Sequence, residues 1–94
     1  MSAKNSKAKR QKAHARRRAR ERYGLSLKQH EYHELCRRIQ ENIDCKFLYR
    51  QSNRVSLFAL KWGGEWLPVV YDKQRHTVVT VLPQEALEPY LASL

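Results

Sequence analysis

The sequence is short of acidic residues, of cysteine and of unbroken apolar stretches, and each shortage excludes something. Only nine Asp and Glu stand against 19 Lys and Arg, a formal net charge of +10 over 94 residues with histidine neutral. No run approaches the ~20 consecutive apolar residues of a membrane span, which excludes a transmembrane reading. The opening MSAKNSKAKRQKAHARRR carries charge but no apolar core, so it does not read as a secretory signal. Cys36 and Cys45 offer neither zinc spacing nor a disulfide framework and read as reduced thiols of a cytoplasmic protein. His14, His30, His33 and His76 have no Cys or carboxylate at metal-ligand spacing, so neither a metal nor a cofactor is expected. The length allows one small domain with room for an appendage. A 41 % hydrophobic content separates the chain from a wholly disordered one.

What is present is charge, and it is concentrated. Residues 1–22 hold ten Lys and Arg against the single acid Glu21, a net +9, while residues 23–94 net only +1. Between Ser2 and Arg22 there is no Leu, Ile, Val, Phe or Trp. Such a segment has no large side chain to bury, so it reads as a basic arm, disordered or fluctuating as a helix when alone. Its Ala, Lys, Arg, Gln and Glu are good helix formers, opposed by repulsion between arginines one turn apart. A polyanion removes that repulsion, and counterion release makes such binding steeply dependent on salt. Arginine outnumbers lysine six to four in the arm. Because arginine forks onto phosphate and stacks on splayed bases, the composition leans toward RNA, with DNA not excluded. The expected contacts are Lys9, Arg10, Lys12, His14, Arg16, Arg17, Arg18, Arg20 and Arg22. The competing readings are a solubilising tail and an anionic membrane surface. The membrane is disfavoured because the arm has no apolar face to insert.

The remainder, residues 23–94, reads as a small α+β domain. Gly24 breaks the basic run, Ser26 is an N-cap candidate with Gln29 three residues on, and Leu27, Tyr32, Leu35, Cys36, Ile39 and Ile43 follow helical spacing. An amphipathic helix is expected over 27–42. Four β-rich runs follow at Cys45–Gln51, Arg54–Trp62, Glu65–Tyr71 and His76–Leu82, with Gly63-Gly64 a two-residue hairpin signal. Short connections demand an antiparallel meander. Pro68 lacks a backbone donor, so a bulge or local edge is expected there. Residues 83–91 suggest a short closing helix. With Val79, Val81, Val55 and Leu57 turned to the helix, His76, Thr80, Arg54 and Ser56 share the opposite surface.

This order of parts resembles the barnase–EndoU–colicin–RelE group of small metal-independent ribonucleases. It is most similar to toxin-like members with the pattern H…R-G-[IL]-S…V-V-Y…T-V. The matching residues are His14, Arg22-Tyr23-Gly24-Leu25-Ser26, Val69-Val70-Tyr71-Asp72 and Val78-Val79-Thr80-Val81-Leu82-Pro83. The run AHARRRARER in turn resembles the arginine-rich RNA-binding peptides of phage antiterminators. The first resemblance implies cleavage of RNA by its own 2′-hydroxyl, which needs a base, an acid and cations around the phosphorane. By chemical type His76 is the acid or base, Arg54 and Arg75 the phosphate clamps, and Tyr71 or Thr80 the polar positioners. His30 and His33, one helical turn apart, form a second histidine pair. For all of these the competing role is structural: a surface histidine, a turn arginine, strand packing.

Three functions follow from these residues. The first is an RNA-binding protein acting through its arm on a structured RNA or a ribonucleoprotein such as the ribosome. The second is a metal-independent ribonuclease whose arm raises the encounter rate. The third is a phage or bacterial regulator of a transcription or translation complex, with Trp62, Trp66, Phe58 and Tyr49 as its protein-contacting face.

Overall fold

The computed structural model describes residues 3–94, with side chains from Lys7 onward; the side chain of Lys4 in the basic run lies outside the described residues. Two α-helices precede a four-stranded sheet and a closing 3₁₀ helix. They are α1 (Ala3–Tyr23), α2 (Gln29–Glu41), β1 (Cys45–Arg50), β2 (Val55–Trp62), β3 (Glu65–Asp72), β4 (Thr77–Val81) and the 3₁₀ helix Gln84–Ser93. The sheet is antiparallel in the order β1-β2-β3-β4, the α+β meander read from the sequence.

Helix α1 contains no β-branched residue and is Ala-, Lys- and Arg-rich, the composition that loses least on helix formation. It ends at Gly24, whose φ of 64° is the left-handed stop. There the Gly24 N–H donates to Arg20 O at 3.0 Å and the Leu25 N–H to Ala19 O at 3.2 Å. Helix α2 starts two residues later than Ser26 suggests. Lys28 is its N-cap, and Glu31 Oε1 accepts the Lys28 N–H at 2.8 Å, so the capping glutamate is Glu31. Asn42, at φ 57° and ψ 43°, closes the helix, with the Ile43 N–H reaching Arg38 O at 2.8 Å.

One prominent difference from the sequence reading lies in α1. An arm unable to bury apolar surface is the wrong description, because alanine does the burying. Ala15 and Ala19 are 0 % exposed and belong to the main core with Tyr32, Leu35 and Ile39 of α2 and Leu60, Leu67, Val69, Val78 and Val81 of the sheet. Small side chains bring the helix backbone close to β4. Each alanine contributes only on the order of 1 kcal/mol by burial. Polar ties supplement them. The Arg22 guanidinium donates to Val81 O at 2.8 Å, the Tyr23 hydroxyl to Leu82 O, and Thr77 Oγ1 to Gln11 Oε1 at 2.6 Å.

The faces of the sheet are also assigned differently. On β2 the helix-facing row is Phe58, Leu60 and Trp62, with Ser56 in the same alternation, and Val55 and Leu57 point the other way. Both rows of β2 are apolar, so alternation alone could not choose between them. Thr80 pairs with Val70 on the back face, whereas Ser56 pairs with Tyr71 on the helix side, so those two do not share a surface. The 3₁₀ helix packs on part of the back face, mainly against β3. Its Leu87 is 1 % exposed, Gln84 Nε2 donates to Trp66 O at 2.7 Å, and Lys46 Nζ donates to Ser93 O at 2.9 Å.

Pro68 causes no bulge toward β2: the pairing runs unbroken through Ala59↔Pro68. Its carbonyl accepts the Leu82 N–H at 2.8 Å, which turns its donorless nitrogen to the same side, just past the end of β4. The register shifts fall instead at Leu48 in β1 and at Val79 in β4. Gly63 and Gly64, at φ 61° and 86°, make the two-residue turn between Trp62 and Glu65.

Candidate nucleic-acid interface

Docking through Ala15 and Ala19 fixes the orientation of the rest of α1. At 100° per residue, Arg10, Ala13, Arg17 and Arg20 lie on the side opposite the two buried alanines, and all four are exposed. Lys7 and Lys9 are exposed beside them. The described cations from Lys7 to Arg22 run along about 22 Å of helix at 1.5 Å per residue.

Little of this charge is neutralised by the protein itself. Arg18 pairs with Glu21 at 3.1 Å. Arg16 Nε donates to Leu27 O at 2.9 Å and Arg22 to Val81 O, and carbonyl contacts leave the positive charge in place. Among the described residues, no carboxylate lies within 4.0 Å of Lys7, Lys9, Arg10, Lys12, Arg16, Arg17, Arg20 or Arg22. The Arg17 guanidinium donates to His14 Nδ1 at 3.3 Å, which requires that nitrogen to be unprotonated. Partial burial, then the positive charges of Arg18, Arg17 and Arg22, hold the His14 pKa below its ordinary value. A phosphate among these groups would lift that repulsion and draw a proton onto His14.

Two depressions flank the cationic row. One, of about 400 Å³, lies between α1 and the segment entering α2 and is lined by Ala13, Arg16, Arg17, Arg20, Ser26, Leu27 and Lys28. The other, of about 360 Å³, is a wedge between α1, α2 and the β3–β4 turn. His76 stands in its wall with His33, Lys9 and Lys12. His30 and His33 stay one turn apart on α2, and His33 lines the wedge together with His76. Arg37, Gln40 and Thr77 line the same wedge, and nothing in the sequence pattern marks Gln40 or Thr77 for it.

The other residues suggested for chemistry do not converge on His76. Arg75 and Arg54 gather on Asp72, at 3.1 and 3.6 Å, so both guanidiniums are committed to a carboxylate that is itself 0 % exposed. Burial works to raise the Asp72 pKa. The N–H groups of Arg75 and Gln74, the Gln11 amide and the Arg75 side chain outweigh it and hold the pKa below the ordinary aspartate value. Asp72 thus braces the β3–β4 turn and ties it to α1 through Gln11. Tyr71 is buried in the core, its phenol pushed up by burial, and its hydroxyl has no hydrogen-bond partner among the described residues. Thr80 lies on the far face of the sheet.

Of the aromatics considered for protein contact, Phe58 and Trp62 pack against the core. Trp62 lies under Arg38 at 4.8 Å and Trp66 under Lys61 at 5.4 Å. The exposed aromatics are on β1: Tyr49 at 54 % and Phe47 at 58 %. Among the described residues, no three His, Cys, Asp or Glu side chains gather as a metal site, and no helix is long and apolar enough to cross a membrane. Comparison of the chain with protein families, with curated proteins and with solved structures gives no match.

Proposed function

We propose that the protein binds RNA along the outer face of α1 and acts in the cytoplasm on a structured RNA or ribonucleoprotein. The observation that carries the reading is a fixed helix whose solvent side presents Lys9, Arg10, Arg17 and Arg20 with no carboxylate of the described chain within 4.0 Å of them. Packing on β4 pre-forms the helix, so a phosphate chain meets charges already in a row and less ordering entropy opposes binding. Arginine suits a groove or loop where phosphate and base are reached together. The depression at Arg16, Arg17 and Arg20 is where such a loop would sit.

The direct test is fluorescence anisotropy of the full chain with a stem-loop RNA, a single-stranded RNA and a DNA duplex at matched ionic strength. The stem-loop is expected to bind tightest. Equal affinity for all three would leave only a general polyanion binder, and no binding at low salt would remove the reading.

Ribonuclease activity is the second reading, favoured by His76 and His33 sharing one wedge with two lysines. It predicts cleavage in EDTA that His76→Asn abolishes while RNA is still bound. Uncut RNA after long incubation in EDTA would dismiss it.

A further inference from the structure

The wedge between α1, α2 and the β3–β4 turn has a composition that the outer face of α1 does not. Its lining contains Lys9, Lys12, Arg37, His33, His76, Gln40 and Thr77 and no carboxylate. Its apolar part is Ala8, Tyr32 and Cys36, and the Tyr32 hydroxyl is already used, donating to Val78 O at 2.7 Å. At about 360 Å³ it falls in the range of small-ligand sites and is wide enough for one nucleotide.

The charge count discriminates between ligands. Arg37 is held by Glu34 at 2.7 Å and Glu41 at 2.9 Å, so its charge is already answered. Asp72, across Thr77 and Gln11, is committed to Arg75 at 3.1 Å. Two unanswered ammonium groups remain, on Lys9 and Lys12, with two imidazoles and the Gln40 amide as further donors. A phosphodiester within a strand brings a single negative charge, whereas a phosphomonoester carries about −1.5 to −2 near neutral pH. The wedge matches the second. His76 closes the β3–β4 turn with a left-handed φ of 56°, a conformation that histidine tolerates better than most residues with a Cβ. His76 and His33 both line the wedge.

We propose that this wedge is a receptor for a phosphomonoester, and that its source is the terminal phosphate of an RNA strand. Lys9 and Lys12 supply the charge, and His33 and His76 supply directed donors. The strand part of this proposal rests on the RNA reading above; the phosphate part does not.

The test uses the full chain and three RNA oligonucleotides of one sequence, ending in 5′-phosphate, in 3′-phosphate or in hydroxyls only. One phosphorylated form is expected to bind about tenfold tighter than the hydroxyl-ended form, the worth of one or two charge-assisted hydrogen bonds. In the double variant His33→Gln, His76→Asn that ratio falls to about threefold, the part that Lys9 and Lys12 still supply. Asparagine is chosen because it tolerates the left-handed backbone at position 76. Circular dichroism melting reports whether the variant is folded. Independently, imidazole NMR signals of the wild type are followed against inorganic phosphate, adenosine monophosphate and adenosine. Shifts at His33 and His76 with the two phosphates and not with adenosine support the receptor, even if RNA itself fails to bind. RNA bound equally well with and without a terminal phosphate, and imidazole signals unmoved by either phosphate, would overturn the receptor and leave the RNA reading intact. Shifts with the free phosphates but no preference among the oligonucleotides would assign the site to a free nucleotide and overturn its RNA-end source.

Discussion

The triple substitution Arg10→Gln, Arg17→Gln, Arg20→Gln isolates the outer face of α1 from the fold. All three side chains are exposed on the side away from Ala15 and Ala19, and none has a carboxylate of the described chain within 4.0 Å. Glutamine is nearly as good a helix former as arginine, so stability should change by less than about 0.5 kcal/mol. The effect on binding is large. Arg16, Arg18 and Arg22 are held by Leu27 O, Glu21 and Val81 O, which leaves Lys7, Lys9, Arg10, Lys12, Arg17 and Arg20 freest to meet phosphates. Six such contacts give a slope of log K against log salt of roughly −4 on single-stranded and −5 on double-stranded nucleic acid. Removing three halves it, to roughly −2 or −2.5. The assay is anisotropy of a labelled stem-loop RNA across 50 to 300 mM salt (on the order of the range in which counterion release is read), with urea unfolding in parallel. An unchanged slope with an intact fold would refute the assignment of the phosphate contacts to this face.

Two further outcomes follow from the packing and the pKa shifts. Ala19→Leu should destabilise by about 1–3 kcal/mol, since a larger side chain must push α1 away from β4; urea unfolding showing no loss would mean that the helix is not docked through this position. Asp72→Asn should cost about 2 kcal/mol: breaking a buried ion pair costs 3–5, but the partly exposed Arg54 and Arg75 keep some hydration. Because the folded-state pKa of Asp72 is lowered, its contribution is full above the ordinary aspartate value and is lost as pH falls through the folded value. Wild type should therefore lose stability in acid between those two points, and Asp72→Asn should lose less. Parallel acid titration curves for the two proteins would contradict the brace.

Much of the fold is legible residue by residue. Gly63-Gly64 announces the β2–β3 hairpin because few other pairs accept two positive φ angles, and the spacing of Leu35, Cys36 and Ile39 announces α2. What the sequence hides has physical causes. Alanine looks neutral in any tally of large apolar side chains, so the docked face of α1 leaves no mark in the hydropathy pattern. The two rows of β2 are equally apolar, so the choice of face waited on the register. Glu31 rather than Gln29 caps α2 because Lys28, not Ser26, holds the extended backbone before the first turn. The candidate site was legible in its charges and not in its geometry. The arginines are plain in the string of residues, whereas His33 and His76 line one wedge only because α1 and α2 both pack on the sheet through Val78 and Val81.

Crosslinking the full chain to RNA in living cells, with sequencing of the bound RNA and identification of the crosslinked peptides, tests the account most directly. Specific RNA segments should be enriched, attached to peptides of α1 between Lys9 and Arg22. Attachment confined to β1, with its exposed Phe47 and Tyr49, or recovery of no RNA above background, would contradict it.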